Sequence, residues 1–178
     1  MSYLLTACRV LLLVVFAASA WSKLRDRSAL AELAGTLTAI RLIRNGRATA
    51  IALLIAETVT AGMLALPWLP SVAAFGAATA LLCALSAGVA VVLRQRSRVT
   101  CRCFGASRSP LGRWHLVRNL ALLGVAATGL VVNEGTGGHP GGLMIAGCAG
   151  ALLAALVINA EEIVALFRPL PIINQKGS

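Results

Sequence analysis

Charge is scarce in this chain: Asp, Glu, Lys and Arg make up 12% of 178 residues, against about a quarter in a soluble domain. Too few ionic side chains remain to coat a water-facing surface, which excludes a large soluble domain. Acidic residues are the scarcest, six against 16 Lys and Arg, leaving a formal charge of +10. Such a balance can signal nucleic-acid binding, but aromatics are only 4% and the basic residues sit in short gaps between apolar runs. No basic face interleaved with stacking rings is available, so nucleic acid is not expected as a partner. Attraction to anionic lipid headgroups accounts for the sign instead.

What is abundant is apolar sequence, 58% of the chain. A bilayer-crossing helix needs about 20 such residues, so the length accommodates four or five spans in one domain, residues 1–168. Apolar runs place them at residues 3–21, 48–66, 72–93, 114–132 and 143–167, followed by a short tail, 169–178. Residues 28–46 read differently. Leu30, Leu33, Leu37 and Ile40 recur at helical spacing while Glu32, Thr36, Arg41 and Arg44 take the other faces. This is an amphipathic helix, suited to lying in the membrane interface. Pro67-Trp68-Leu69-Pro70 makes a tight turn with a Trp at headgroup level. In the fifth span, Gly147, Gly150, Ala151, Ala154 and Ala155 permit close helix packing. The fold class expected is therefore an all-α transmembrane bundle.

Ala18-Ser19-Ala20 imitates a signal-peptidase site, and Leu5-Thr6-Ala7-Cys8 a lipoprotein box. Arg9 interrupts the first run, no basic region precedes it and a basic cluster follows at once, so the first segment reads as a retained span. All Lys and Arg except Arg9 fall in the first and third connections, at the start of the fourth span or in the tail. The second and fourth connections carry none. By the positive-inside bias the N-terminus lies outside a multi-pass plasma-membrane protein, with its C-terminus and third connection cytoplasmic.

Charges within spans are costly and mark pairs or functional sites. Arg9 lies about 20 Å from the Lys23 boundary and Glu57 about 15 Å from the Arg47 boundary, at 1.5 Å per helical residue. Given the reach of an Arg side chain, the two can pair between the first and second spans. Arg118 and Asn119, early in the fourth span, match Glu161 and Glu162, late in the fifth. Either set can be a helix-ordering ion pair or a polar site for a quinone, a proton or a substrate group.

Of the five cysteines, Cys8, Cys83 and Cys148 lie inside spans, where a thiol acts as a small apolar side chain. Cys101 and Cys103 lie in the third connection among Arg98, Arg102 and Arg108. Neighbouring positive charge raises the thiolate fraction, and the thiolate is the reactive form. A Cys-x-Cys disulfide closes a small strained ring, which favours exchange over permanent bracing. The pair also offers two soft ligands for Cu(I) or half a zinc site. With His115 the only further ligand nearby, no metal centre is expected.

The run Cys101-Arg102-Cys103-Phe104-Gly105, followed by Trp114 and Arg118-Asn119-Leu120, resembles the MauE family of methylamine-utilisation membrane proteins, related to the broader DoxX-like group. The end of the first span, Ala18-Ser19-Ala20-Trp21-Ser22-Lys23-Leu24-Arg25-Asp26, the amphipathic stretch and Glu57 share the likeness, which covers about residues 5–132. The resemblance implies a four-helix core with added helices and a link to maturation of the disulfide-rich small subunit of methylamine dehydrogenase. It also implies that Cys101 and Cys103 form a redox pair, with Arg102, Arg118 and Asn119 in support.

The leading expectation is a membrane thiol–disulfide oxidoreductase, exchanging with a thioredoxin-like or other redox protein and reset by a quinone or a soluble thiol carrier. The alternatives are a non-catalytic scaffold for a redox partner and a small transporter subunit using Arg9 and Glu57. Disulfide formation belongs outside the cytoplasm, whereas the charge bias places the pair inside. Three resolutions stand: a cytoplasmic thiol partner, electrons crossing the membrane, or an exception to one rule.

Overall fold

Backbone amides in lipid must find partners within their own segment, which leaves helices for a chain this apolar. The computed structural model describes residues 1–39, 45–94, 113–132 and 138–166. They form α1 (Ser2–Arg25), α2 (Arg27–Ala39), α3 (Gly46–Ala65), α4 (Ser71–Arg94), α5 (Arg113–Val131) and α6 (Pro140–Leu166), with no strand among them. All but α2 are long and apolar enough to cross a membrane.

Local chemistry sets the breaks. Asp26 ends α1 in an extended conformation, and its Oδ1 accepts the Ser28 N–H at 2.9 Å to start α2. Asn45 caps α3 by accepting the Ala48 N–H at 3.2 Å. Pro67 and Pro70 interrupt the helix between α3 and α4, and Pro140 is the first residue of α6, where its missing N–H costs nothing.

The spans α1, α3, α4 and α5 form a closed ring in which each helix touches the next, and α6 packs outside it on α1. Neighbours in the ring are antiparallel. Arg9 reaches the end of α3 while Lys23 reaches its middle, and the Phe75 ring near the start of α4 lies against Gly129 near the end of α5. By contrast α6 runs parallel to α1: Tyr3 meets Gly142, and Ala7 and Val10 meet Gly150 and Gly147. Gly150 is needed there, because a Cβ would collide with the Ala7 carbonyl oxygen. Such backbone approach is how small residues hold helices together in lipid. Of the small residues expected at this contact, Gly150 and Ala154 are buried, whereas Ala155 points outward.

α2 continues past the end of α1 along the first half of α3. Its Leu33 is buried with Ala50, flanked by Leu30, Ala34, Leu37 and Leu53, and Gly46 lies against Thr38 and Ala34. The apolar face of α2 is thus covered by α3.

Outward faces carry Ile51, Ile55, Val59, Val117, Leu120, Met144, Ile145 and Leu152, all exposed. A rind of bulky apolar side chains in helices of this length is a lipid-facing surface. Inside the ring, Leu5, Leu11, Leu12, Val15, Leu64, Ala74, Phe75, Ala78 and Ala126 pack one half. The other half has a different character.

Candidate functional site

Among the described residues, eight of the nine buried polar or charged side chains fall in that second half: Ser19 and Lys23 of α1, Glu57 and Thr60 of α3, Ser86 of α4, and His115, Arg118 and Asn119 of α5. Ser71, at the start of α4, is the ninth. All four helices of the ring contribute to the set. It lies toward the end where α4 stops at Arg94 and α5 begins at Arg113, so the chain segment bearing Cys101 and Cys103 leaves and re-enters the ring there. Exposed Arg25, Arg47 and Arg94 share that end.

An ion pair holds the α1–α3 side of this region. Lys23 Nζ donates to Glu57 Oε2 at 2.6 Å, Glu57 Oε1 at 2.8 Å and Ser19 Oγ at 2.8 Å. Its two side chains are 2% or less exposed. Lys23 belongs to the inward stripe Leu12, Phe16, Ser19 and Lys23, so its position beside a basic cluster conceals a buried role.

Arg9 does not pair with Glu57, as depth along the chain had suggested. Its Nε donates to the Leu64 carbonyl at 2.8 Å, and its Nη2 to the carbonyls of Met63, at 3.4 Å, and Leu66. The residues four places after Met63 and Leu66 are Pro67 and Pro70, which have no N–H to offer. Arg9 supplies the donor missing at Met63, shares the Leu66 carbonyl with the Leu69 N–H at 3.2 Å, and puts a positive charge at the C-terminal end of the α3 dipole. The depth estimate failed because it set Lys23 and Arg47 level. In fact α3 overhangs α1 by on the order of 10 Å, with α2 filling the space, so Glu57 comes level with Lys23.

On α5, His115, Arg118, Asn119, Leu122 and Ala126 form one buried stripe, polar at its start and apolar beyond. Arg118 and Asn119 are 7% and 6% exposed. On α4 the equivalent stripe is Ala74, Ala78, Leu82 and Ser86. From the Phe75–Gly129 contact, eleven residues along each antiparallel helix lead to Ser86 and Arg118, so the two sit at one depth, about 16 Å from that contact.

Five expected residues lie wholly or in part outside what the structure describes. Cys101, Arg102 and Cys103 lie outside the described residues, as do the side chains of Glu161 and Glu162 in the last turns of α6, so the pairing of those glutamates with Arg118 lies outside them too. Cys8 is buried, and Cys83 and Cys148 lie on exposed faces; all three are free thiols. Ser19, Lys23 and Ser86 were not among the residues singled out from sequence. Their signal was helical spacing from buried apolar neighbours, legible only once the inward face of each helix is known.

A ring of antiparallel apolar helices with a polar inner half defines the class: a polytopic α-helical integral membrane protein. Within that class, residues 1–132 match the family model for methylamine utilisation protein MauE, and the chain belongs to this family. The match covers the four-helix ring and α2, and stops before α6. No curated protein and no solved structure matches the chain.

Proposed function

We propose that this protein is a plasma-membrane thiol–disulfide exchange protein acting through Cys101 and Cys103 in maturation of a redox partner. What supports the reading is that, among the described residues, nearly all of the buried polar side chains lie toward the end where α4 stops and α5 begins, the two points between which the chain carries Cys101 and Cys103. Family membership supports it through the link, implied by the resemblance, to maturation of the disulfide-rich small subunit of methylamine dehydrogenase. In the exchange, one cysteine thiolate attacks a partner disulfide, forming a mixed disulfide and releasing a partner thiolate. The second cysteine then displaces the other partner sulfur. The partner leaves reduced, with Cys101 and Cys103 joined; run in reverse, the pair oxidises a dithiol. Arg102 and its neighbouring arginines favour the thiolate, and Arg118 and Asn119 support the segment from α5.

Trapping tests this. A Cys101→Ser or Cys103→Ser variant should accumulate a mixed disulfide with its partner, because the resolving thiol is gone. Absence of any adduct from both, together with full cellular function in the double variant, points to the scaffold reading instead.

The gathering of Arg25, Arg47 and Arg94 at one end supports a cytoplasmic position for that end and for the cysteines. Labelling of Cys101 and Cys103 by a membrane-impermeant thiol reagent in intact cells would reverse this orientation.

A further inference from the structure

Among the polar side chains of the inner half, Ser86 stands apart. Hydroxyls inside helices commonly donate back to the carbonyl four residues earlier. Thr6, Thr38, Thr49, Thr58, Thr79 and Thr128 all do so, at 2.8–3.1 Å. Ser86 does not. It is 8% exposed and its buried Oγ has no hydrogen-bond partner. An unsatisfied buried hydroxyl costs about 1–3 kcal/mol, which an alanine on the same stripe avoids. At the same depth on α5, the helix packed against α4, are the buried Arg118 and Asn119, with His115 one turn nearer the start of α5.

We infer that Ser86, Arg118 and Asn119 form a binding site for the carbonyl oxygens of a quinone headgroup, the electron acceptor that reoxidises Cys101 and Cys103. Hydroxyl, guanidinium and amide all donate hydrogen bonds, which suits an acceptor oxygen. The surrounding ring is apolar and faces lipid, so the ligand must be lipid-soluble. Ser86 lies about 12 Å from the end of α4 and Arg118 about 8 Å from the start of α5, the two points the Cys segment joins. The redox step balances. Two thiols become one disulfide, releasing two electrons and two protons, and the quinone takes up both pairs to become a quinol. Arg118 would stabilise the negative charge that appears on the oxygen before protonation. The electron-acceptor role rests on the thiol reading above; the binding site does not.

The test keeps them separate. A Cys101→Ser/Cys103→Ser variant in lipid nanodiscs is titrated with decylubiquinone, read by quenching of tryptophan fluorescence. Saturable binding is expected, weakened about tenfold by Ser86→Ala, the loss of one hydrogen bond, and unchanged by Thr128→Val on the exposed face. No saturable binding, indifference to Ser86→Ala, or equal displacement by phosphatidylglycerol would each overturn the site. With both cysteines present and reduced, anaerobic addition of decylubiquinone should form one disulfide per quinol. Ser86-dependent binding without thiol oxidation would overturn the electron-acceptor role, while partner trapping judges thiol exchange independently.

Discussion

Replacing Lys23 and Glu57 by Met, singly and together, measures how much the buried pair ties α1 to α3. All three N–H donors of Lys23 meet acceptors, two of them on Glu57. Two charge-assisted bonds at about 1.5–3 kcal/mol each bracket the loss from either single change. That agrees with the roughly 3–5 kcal/mol typical of breaking one side of a buried ion pair, where the stranded charge dominates. The double variant leaves no stranded charge, and two Met side chains fill similar volume, so it should recover most of the loss. Its coupling energy is therefore expected to be about 3 kcal/mol or more. The control is Arg9→Met combined with Glu57→Met. Arg9 is about 20 Å from Lys23 along α1, so this pair should be additive within about 0.5 kcal/mol. Reversible unfolding in mixed micelles, followed by far-ultraviolet circular dichroism, supplies the free energies. Coupling under 1 kcal/mol for Lys23–Glu57, or comparable coupling for Arg9–Glu57, would refute the assignment.

Two further outcomes follow from helix ends and helix contacts. Arg9→Met should destabilise by about 2–3 kcal/mol in the same assay, since it strips donors from buried carbonyls. Adding Pro67→Ala should restore part of this by returning an N–H to Met63; equal loss with and without Pro67 would remove the capping role. Gly150→Ala should cost at least about 1–3 kcal/mol, because its Cβ meets the Ala7 backbone rather than a movable side chain. Gly124→Ala, with open space around it, should be neutral or stabilising, as alanine is the better helix former. Equal effects at the two sites would show that the α1–α6 approach is looser than described.

Much of the fold was legible in composition and period. Long apolar runs with proline and polar interruptions impose spanning helices, because lipid offers no alternative partner for the backbone. Leu30, Leu33 and Leu37 marked α2 as amphipathic, and a basic segment carrying two cysteines stood out against a chain otherwise poor in charge. Those are local properties, and a local reading reaches them.

Which helices touch, and at what offset, is not local. Arg9 and Glu57 looked like partners because distance along two helices was measured from boundaries assumed level. The overhang of α3 and the packing of α2 beside it are tertiary facts. They hand Glu57 to Lys23 and leave Arg9 to the carbonyls at the C-terminal end of α3. Ser86 likewise reads as one small residue among many until α4 is set against α5, when it becomes a buried hydroxyl level with Arg118. The sequence by itself determined that this protein is a membrane helix bundle of a recognisable family, since hydrophobic length and backbone satisfaction allow little else. Only the tertiary structure decided which of its scarce polar side chains meet, because in lipid each must find its partner across a helix interface whose register no single helix encodes.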